Sequence, residues 1–530
     1  MSRKLLQNLC ILLFSIFFVC SGGFAVAKTP PPDTLMLAIK GEPSEGYDPI
    51  LGWGRYGNPL FQSTLLKRDE QVQIVPALAT TYKLSDDGLC WTVSIRKDAK
   101  FSDGIPLTAE DVAFTFNTAK NSGGKVDLNH MDYAETTGKY TVKIHLVERD
   151  TTFIHRFTTL GIVPRHAYGE GYGRNPIGSG PYKLVEWTEG QQMIAEVNPY
   201  YYGKAPFFKR IVFLFTNEDT SFAAAKAGKV HMVVVPQSLA NQHIPNMVMR
   251  AVKSVDNRGL MFPTVPDTGK KTAEGYPIGN TVTADPAIRK AVNIALNRKA
   301  LVEGVLEGYG RPAYGVCDGL PWDNPANVIQ DNDIKGAIKL LEEGGWHDTD
   351  NDGIREKDGL KAEFTIVYPA TRSIRQYLAL ACADMLKKIG IKANIEGKNS
   401  FNDIKKIKHR DVIVFGWGSH DPIELYHLYS SKYAGVGYNN PGFYKNPVVD
   451  ANLEKALTAS SFEESLRYWK AAQWDGKTGL NARGDAPWAW LVNLDHTYFV
   501  HKNLNIGTSQ VEPHGHGWPI TANIEKWTWQ

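Results

Sequence analysis

The chain has 530 residues, with 59 Lys and Arg against 56 Asp and Glu, and 43% of its residues are hydrophobic. This near balance of charge argues against a nucleic-acid-binding protein, which would need a strongly basic surface. A single hydrophobic core stops growing at about 250–300 residues, so the length predicts at least two domains.

The first 27 residues have the pattern of an export signal. Arg3 and Lys4 give a basic start, residues 9–19 form an apolar run, and residues 25–27 form a small-residue cleavage site. The apolar run is shorter than the roughly 20 residues of a membrane-spanning helix, and no comparable run follows it. We therefore expect a soluble periplasmic protein that begins near Lys28.

Two further expectations concern the net charge of the exported chain and its anchoring. Removing Arg3 and Lys4 leaves 57 basic against 56 acidic residues, so its formal charge is about +1. A lipid anchor on Cys20 is the alternative to cleavage after residue 27, but Val19 stands where a small residue is expected. We therefore favour the cleaved form without an anchor.

Three cysteines remain after the signal, an odd and sparse set for a large exported protein. At most one disulfide is possible, and neither the number nor the spacing of the cysteines makes a zinc site. We expect three buried apolar thiols and a fold stabilised by core burial. The three residues are Cys90, Cys317 and Cys382.

A first α/β unit is predicted between residues 91 and 146. Apolar and polar side chains alternate over 91–95 and over 140–146, which is the period of half-buried strands. Between them Thr108 is a good helix N-cap, Asp111 sits at the third helical position, and apolar residues follow at the spacing of one buried helix face.

A second α/β region is predicted after a linker. Residues 264–284 are rich in Gly, Pro, Thr and Lys and lack periodicity, so we place a domain crossing there. Helices are expected from Asp285, over 337–341 and over 374–385, and strands over 364–368 and 391–395. Ser461 and Glu464 form a capping box for one further helix.

The common signatures of enzymes are missing. The chain has no P-loop, no G-x-S-x-G nucleophile elbow and no H-E-x-x-H zinc motif. It also lacks internal repeats, which argues against a solenoid. We therefore expect a protein that is not an enzyme, with an exported hydrolase as the less favoured reading.

Residues 348–353, Asp-Thr-Asp-Asn-Asp-Gly, match the start of a calcium-binding loop. The twelfth position is Gly359 where the motif needs a glutamate, and Glu356 and Asp358 substitute for it only partly. We favour a solvated acidic hairpin turn over a calcium site.

Two histidines lie two residues apart in a glycine-rich segment, Pro-His-Gly-His-Gly over 513–517. Glycine lets the backbone come close to a ligand, and imidazole suits Ni(II), Cu(II) and Zn(II) alike. His514 and His516 are therefore candidate metal ligands, and a flexible surface loop is the alternative.

Three blocks of sequence resemble the peptide/nickel-binding family of ABC-importer solute-binding proteins. They are PALATTYKLSDDGLCWTVSIRKDAKFSDGIPLTAEDVAFTFNTAK at 76–120, NPIGSGPYKLVEWTEGQQMIAEVNPYYYG at 175–203 and IRKAVNIALNRKALVEGVLEGYGRPA at 288–313. The resemblance implies an α/β bilobed periplasmic-binding-protein fold, with two mixed-sheet lobes and an extra α/β subdomain in the first lobe. It also implies a monomer that meets an ABC permease in the inner membrane and holds no permanent cofactor.

The resemblance also suggests domain limits. Lobe I would span 28–265 with an inserted subdomain at about 76–177, lobe II would span 266–490, and residues 491–530 would return to lobe I. A hinge between lobes lets ligand reach a cleft and then excludes water from it.

The cargo is harder to predict, because one fold can carry many ligands. Residues 503–520, NLNIGTSQVEPHGHGWPI, are similar to a nickel-importer subgroup whose loop at this place can supply a histidine to nickel. That similarity implies Ni(II) as transported ligand, held by a small chelator such as free histidine, with His514 or His516 close to the metal. A di- or oligopeptide is the alternative cargo.

Further cleft candidates follow the apolar strand at 412–415, because binding residues favour loops on a rigid scaffold. The expected roles are an aromatic wall, hydrogen bonds to carboxylates, an orienting amide and additional metal ligands. Arginine at position 165 would hold a chelator carboxylate, as it does in related nickel binders. These residues are Trp417, Tyr426, Tyr438, Asn440, His420, His427 and Arg165.

Overall fold

The computed structural model describes residues 32–39, 41–57, 60–515 and 517–530. The predicted export signal and His516 lie outside these residues. Within the described ranges, no helix is long and apolar enough to cross a membrane.

The strands of the described chain are short except for two near the middle and the end of the sequence. They are β1 Thr34–Ala38, β2 Leu66–Arg68, β3 Ile74–Pro76, β4 Ala79–Leu84, β5 Cys90–Ile95, β6 Met131–Gly138, β7 Thr141–Leu146, β8 Tyr182–Thr188, β9 Gln192–Val197, β10 Arg210–Leu214, β11 Met232–Val235, β12 Met247–Met261, β13 Gly310–Pro312, β14 Glu356–Lys357, β15 Leu360–Lys361, β16 Glu363–Pro369, β17 Lys392–Lys398, β18 Val412–Phe415, β19 Trp488–His501, β20 Leu504–Asn505 and β21 Thr528–Trp529.

The α-helices lie mostly in the second half of the chain. They are α1 Ala109–Asn121, α2 Arg156–Thr159, α3 Glu218–Lys226, α4 Thr281–Ala284, α5 Pro286–Ala295, α6 Arg298–Val305, α7 Ile334–Glu343, α8 Ser373–Lys387, α9 Phe401–Lys405, α10 Ile423–Tyr429, α11 Pro447–Thr458 and α12 Phe462–Gln473.

Two long antiparallel strands, β12 and β19, join the two halves of the molecule. In the main sheet the strand order is β17-β16-β18-β12-β19-β11-β1-β10-β9-β8, and β13 pairs with β19 off this path. We call the part built on β1 and β8–β11 the first lobe, and the part built on β16–β18 with α5–α8 the second lobe. The sheet is mixed, as predicted, because both lobes contain parallel pairs of strands and other neighbouring strands, such as β12 and β19, are antiparallel.

The pairing of the two long strands is interrupted where they pass between the lobes. The register shifts between Lys253 and Asn257, which takes the intervening residues out of the ladder with β19. The C-terminal segment fills this place, since the N–H of Val255 donates to the carbonyl of Glu512 at 2.8 Å. An interruption of this kind bends a strand and redirects its side chains, and Asp256 lies within it.

An inserted subdomain precedes β8 and has its own core. Strands β4-β5-β7-β6 form a four-stranded antiparallel sheet on which α1 packs. The predicted alternation is confirmed in β5, where Trp91, Val93 and Ile95 are buried. The predicted capping at Thr108 is also confirmed, with reciprocal hydrogen bonds between Thr108 and Asp111.

The second lobe agrees with the helices and strands expected from the sequence. α5 begins after Asp285, whose carboxylate accepts the N–H of Ala287 at 2.9 Å, and α5–α8 bury their apolar faces against β16 and β18. One detail differs from the prediction. Ser461 caps α12, but the carboxylate of Glu464 returns to the N–H of Ser460, so the box is not reciprocal.

The remaining sequence predictions concern single residues and loops. Cys317 and Cys382 are buried free thiols and Cys90 is a half-buried one, so the expectation of three buried thiols holds for two of them. Residues 264–280 carry no helix or strand, in agreement with the predicted loop, but residues 281–284 at its end form the short helix α4.

The aspartate-rich turn at 348–353 precedes the β14–β15 hairpin, as the favoured reading expected. Its carboxylates converge with that of Glu356, and their oxygens lie within 4.8 Å of one another. The ammonium of Lys361 lies among them, 3.2 Å from Asp350 and in contact with Asp352. A lysine therefore supplies positive charge where the calcium reading would place an ion.

Arg298 is the buried charge on which the packing of α6 against β19 depends. Its guanidinium is 1% exposed and donates to the carbonyls of Ala313 and Trp490 at 2.9 and 2.7 Å and to Asp331 at 2.5 Å. Removing one partner of such a buried pair leaves the other partner uncompensated.

We expect Arg298→Met to lower the free energy of unfolding by about 3–5 kcal/mol, measured by urea denaturation. The matched control is Arg467→Met, because Arg467 forms an exposed pair with Glu464 at 2.7 Å and such pairs contribute about 0–1 kcal/mol. Equal stabilities of the two variants would contradict this account of the second lobe.

Candidate ligand-binding cleft

Two cavities lie between the lobes and meet at Tyr56. The larger has a volume of about 1030 Å³ and is bordered by the first lobe, the inserted subdomain and residues 419–421 of the second lobe. The smaller, of about 360 Å³, lies among residues 41–57, Arg372 and Phe401 of the second lobe, and the C-terminal loop at Gly515. Small-molecule sites span roughly 300–1000 Å³, so the smaller volume lies within this range and the larger one lies at its upper limit.

His514 lies at the boundary of the two cavities. Its neighbours Pro513 and Gly515 line the larger and the smaller cavity, respectively. The backbone N–H of His514 donates to the carbonyl of Gly418 at 2.8 Å, and its ring meets that of Tyr56 edge-on at 5.5 Å between centroids. The C-terminal loop is thereby docked onto the second lobe at the entrance to the cleft.

Asp256 orients the His514 ring. Nδ1 of His514 lies 2.7 Å from a carboxylate oxygen of Asp256. Burial acts to raise the pKa of Asp256, but Arg258, His514 and His496 outweigh it and hold that pKa well below its usual value. Burial lowers the pKa of His514. A neutral His514 therefore donates Nδ1–H to ionised Asp256 and carries its lone pair on Nε2, which is the arrangement typical of metal-binding histidines.

His496 supplies the positive charge that balances this cluster. Its Nε2 lies 3.1 Å from Asp256 and its Nδ1 lies 2.5 Å from Glu512, which also accepts the hydroxyl of Tyr498 at 2.7 Å. Burial lowers the pKa of His496, but the hydrogen bonds to the two carboxylates raise it to about 9. His496 is therefore an imidazolium at neutral pH.

The loop after β18 brings the second lobe into the cleft. The carboxyl group of Glu424 accepts the N–H groups of Gly418 and Ser419, both at 3.1 Å, and fixes the loop. Burial raises the pKa of Glu424 to about 8. His420 follows in this loop and lines the larger cavity.

His420 is neutral in this position. Burial and then the nearby Arg68 lower its pKa to about 3. Its Nε2 is buried and has no hydrogen-bond partner within the described chain. Of the predicted metal candidates, the structure thus brings His420 and His514 to the cleft, and His516 lies outside the described residues.

The two lobes are in contact across the cleft. Arg156 of the inserted subdomain binds Asp421 of the second lobe at 2.7 Å, and Asp127 binds His427 at 2.7 Å. The N–H of Thr151 donates to the carbonyl of Leu457 at 2.9 Å. His427, predicted as a further metal candidate, is therefore engaged in an interlobe hydrogen bond.

Three predicted binding residues are used inside the second lobe. The hydroxyl of Tyr426 donates to Glu454 at 2.6 Å, and that of Tyr438 donates to the carbonyl of Phe401 at 2.7 Å. The amide of Asn440 bonds only to backbone atoms of its own loop. None of the three lines either cavity, so we leave them out of the binding site.

The other two predicted residues, Trp417 and Arg165, line neither cavity. Trp417 exchanges backbone and side-chain hydrogen bonds with Asn257 and packs its ring against Phe415. Arg165 lies on the surface of the inserted subdomain, where it pairs with Glu110 at 2.8 Å with 61% of its side chain exposed. The structure does not bring Arg165 to the cleft, because α1 supplies its partner outside it.

Sequence reasoning missed several cleft residues. Asp256, His496, Arg68 and His155 are far apart in the chain and belong to no motif. The available signal was weak: Asp256 is the one acid of β12, and a carboxylate that a strand buries needs partners.

Two lobes joined by long strands, with a cleft between them, define a bilobed periplasmic-binding-protein fold. The chain matches the family described as "Bacterial extracellular solute-binding proteins, family 5 Middle" over residues 73–439. It therefore belongs to this family, whose members are the substrate-binding components of ABC importers and work with a cognate permease.

Similar proteins differ in their ligands. Protein XP55 of Streptomyces lividans is 33% identical, over 91% of this chain and 88% of its own. The oligopeptide-binding protein AppA of Bacillus subtilis is 28% identical, over 88% of this chain and 86% of AppA.

Solved structures cover the chain almost completely. NikZ from Campylobacter jejuni, in complex with Ni(L-His), has a TM-score of 0.81 and 26% identity, over 94% of this chain and 100% of NikZ. AppA of Bacillus subtilis, in complex with a nonapeptide, has a TM-score of 0.74 and 25% identity, over 94% of this chain and 99% of AppA.

The charge of His496 predicts a pH dependence. Its pKa of about 9 in the folded protein lies above the ordinary value of 6.5, so its stabilising effect is complete below pH 6.5 and is lost as the pH rises through 9. We expect His496→Gln to destabilise the protein more at about pH 6 than at about pH 10, measured by urea unfolding. Solvent-exposed His243→Gln is the control. A loss for His496→Gln that is the same at both pH values would contradict the assignment.

Proposed function

We propose that this importer component captures Ni(II) as a complex with a small carboxylate-bearing chelator, such as free L-histidine, in the periplasm. The observation that carries the proposal is the His514 ring, which packs edge-on against Tyr56, a residue that lines both cavities. Its Nδ1–H is held by Asp256, so Nε2 presents a lone pair suited to Ni(II). The similarity to NikZ, whose structure contains Ni(L-His), supports the same cargo.

The chemistry of the residues that line the cavities fits this cargo. Arg372 lines the smaller cavity beside the His514 loop, and a guanidinium suits a chelator carboxylate because it offers paired donors. Neutral His420 borders the larger cavity, where a second imidazole is available to the metal complex. Closure of the lobes removes water from these groups and strengthens their polar contacts.

An oligopeptide is the second candidate cargo. The larger cavity, at about 1030 Å³, exceeds what a single chelated amino acid needs, and AppA of Bacillus subtilis holds a nonapeptide on the same fold. A peptide would need backbone pairing and charges for its two ends. The orienting pair of Asp256 and His514 has no role in that mode, so we place the nickel chelate first.

Calorimetry of metal-free protein with NiCl2, with and without L-histidine, tests the proposal against a peptide panel. We expect tight binding when nickel and histidine are both present. His514→Ala should weaken it by at least about 100-fold, and Asp256→Asn by about 10- to 100-fold because the ring loses its orienting partner. His516→Ala measures how much the neighbouring histidine contributes to nickel affinity.

The matched control is His243→Ala, since His243 is solvent-exposed and away from the cleft. Circular dichroism verifies that each variant is folded. Tight binding of peptides, with no heat from nickel and histidine, would replace the nickel proposal by the peptide one. Unchanged nickel affinity in both His514→Ala and Asp256→Asn would remove His514 from the site.

A further inference from the structure

A short wall separates the two cavities of the cleft. One half of it is the segment 55–57 of the first lobe, whose three residues line both cavities. The other half is the C-terminal loop, in which Pro513 lines the larger cavity and Gly515 lines the smaller one. We call residues 55–57 together with residues 513–515 the wall. A cargo that fills both cavities has to pass it.

A buried tryptophan and two glycines fix the course of the chain just before the wall. The Trp53 ring is buried in the first lobe, where it packs edge-on against two other aromatic rings, at 4.8 Å between centroids in each pair. Gly52 and Gly54 have φ values of 116° and 77°. Glycine adopts such conformations readily and other residues do not. The chain therefore turns at its buried anchor and enters the cleft at residues 55–57.

The side chain of Tyr56 joins the two halves of the wall. Its ring meets the His514 ring edge-on at 5.5 Å between centroids. The two segments are close here in their backbones as well, because a Cβ placed on Gly515 would lie 3.3 Å from Cβ of Tyr56 and 2.3 Å from Cγ of Pro519. Only glycine allows this approach without displacing a neighbour. The halves of the wall thus meet at Tyr56.

Arg55 holds the Tyr56 ring in this position. Its guanidinium carbon lies 4.4 Å from the centroid of the ring, and Nη2 donates to the Tyr56 hydroxyl at 3.1 Å. Nη1 donates to the carbonyl of Gly52 at 3.5 Å, which ties the arginine to the turn before the wall. A cation over an aromatic face is attracted by the ring, and more so where water is excluded. The contacts with Arg55 and His514 together oppose rotation of the ring out of the wall.

The two cavities differ in the ligands that they can hold. The smaller, of about 360 Å³, is close to the lower limit of small-molecule sites, which begin at roughly 300 Å³. It suits a compact ligand such as a chelated amino acid. An extended ligand of several residues exceeds it and needs space in the larger cavity of about 1030 Å³. Whether one ligand is able to occupy both cavities therefore depends on the wall.

We propose that Tyr56 is a specificity-determining residue that limits the length of the cargo. Its ring blocks the passage between the two cavities, so each cavity is filled separately and a chain long enough to need both is rejected. Arg55 is a positioning residue for the ring. That the cargo is a nickel chelate rests on the proposed function, but the wall limits a peptide in the larger cavity for the same steric reason.

Two series of ligands measure the length limit by calorimetry. The first is NiCl2 with L-histidine, and with histidine extended at its carboxyl end by one, two or four glycines. The second is a metal-free series of alanine peptides from two to nine residues long. For each protein, every affinity is divided by the affinity for the shortest member of its series. A loss that is common to all members then cancels.

The variants separate the ring of Tyr56 from its hydroxyl. In the wild-type protein and in Tyr56→Phe, which keeps the ring, the relative affinity should fall by at least about 10-fold from the shortest to the longest ligand, because the chain clashes with the wall. Tyr56→Ala removes the ring, so the fall should shrink to about 3-fold or less. Arg55→Met should give an intermediate fall. The matched control is Tyr133→Ala, since Tyr133 lies on the inserted subdomain with 44% of its surface exposed, and it should behave as the wild-type protein.

Circular dichroism verifies that each variant is folded, and a gain of affinity for long ligands is not an effect that partial unfolding produces. In any series that the wild-type protein binds, equal relative affinities in the wild-type protein and Tyr56→Ala would overturn the proposal. Loss of the length limit in Tyr56→Phe would overturn it too, because the ring would then not be the barrier.

The outcomes for the cargo and for Tyr56 are separable. If nickel with histidine does not bind, but the peptide series shows a length limit that Tyr56→Ala removes, the nickel cargo is rejected and the role of Tyr56 is supported. If nickel with histidine and all its extended forms bind the wild-type protein equally well, the cargo is supported and the role of Tyr56 is rejected. Binding of neither series by the wild-type protein and by Tyr56→Ala would overturn both.

Discussion

The buried carboxylate of Asp256 is the constraint on which the arrangement of the cleft depends. A buried charge is unfavourable unless it is paired and fully hydrogen-bonded, and Asp256 is 4% exposed. Its partners come from both crossing strands and from the C-terminal loop: Arg258 on β12, His496 on β19 and His514. The need to satisfy one carboxylate therefore fixes the interrupted strand, its neighbour and the candidate metal ligand relative to one another.

The elements with a local signal were predictable from the sequence. The cluster around Asp256, where β12 and β19 pass between the lobes, was not. The alternation at 91–95, the cap at Thr108 and the start of α5 at Asp285 each depend on neighbouring residues. In contrast, His514 and Asp256 are 258 positions apart, and nothing in either segment names the other. The family resemblance suggested His514 or His516 as a neighbour of the cargo but supplied no partner for either.

The predicted binding residues illustrate the same limit. A tyrosine in a post-strand loop offers a hydroxyl to a ligand or to the protein with equal ease. For Tyr426 the distant α11 provides Glu454, so the hydroxyl is used within the second lobe. Arg165 likewise meets Glu110 on the neighbouring helix. Residue type and position in a loop indicate what a side chain is able to bind. Packing decides whether another group of the protein already occupies it.

The balance between open and closed forms follows from the contacts across the cleft. Interlobe pairs such as Arg156 with Asp421 favour closure. Nε2 of His155 and Nε2 of His420 are buried without hydrogen-bond partners among the described residues, and an unsatisfied buried donor or acceptor costs about 1–3 kcal/mol. These unpaired atoms oppose the gain from the ion pairs. A cargo that supplies hydrogen-bond partners to these atoms removes the penalty and shifts the population towards the closed form, because a ligand moves an equilibrium only by its differential affinity for the two states. On this reasoning, the unpaired atoms of the cleft give the closed form its dependence on cargo.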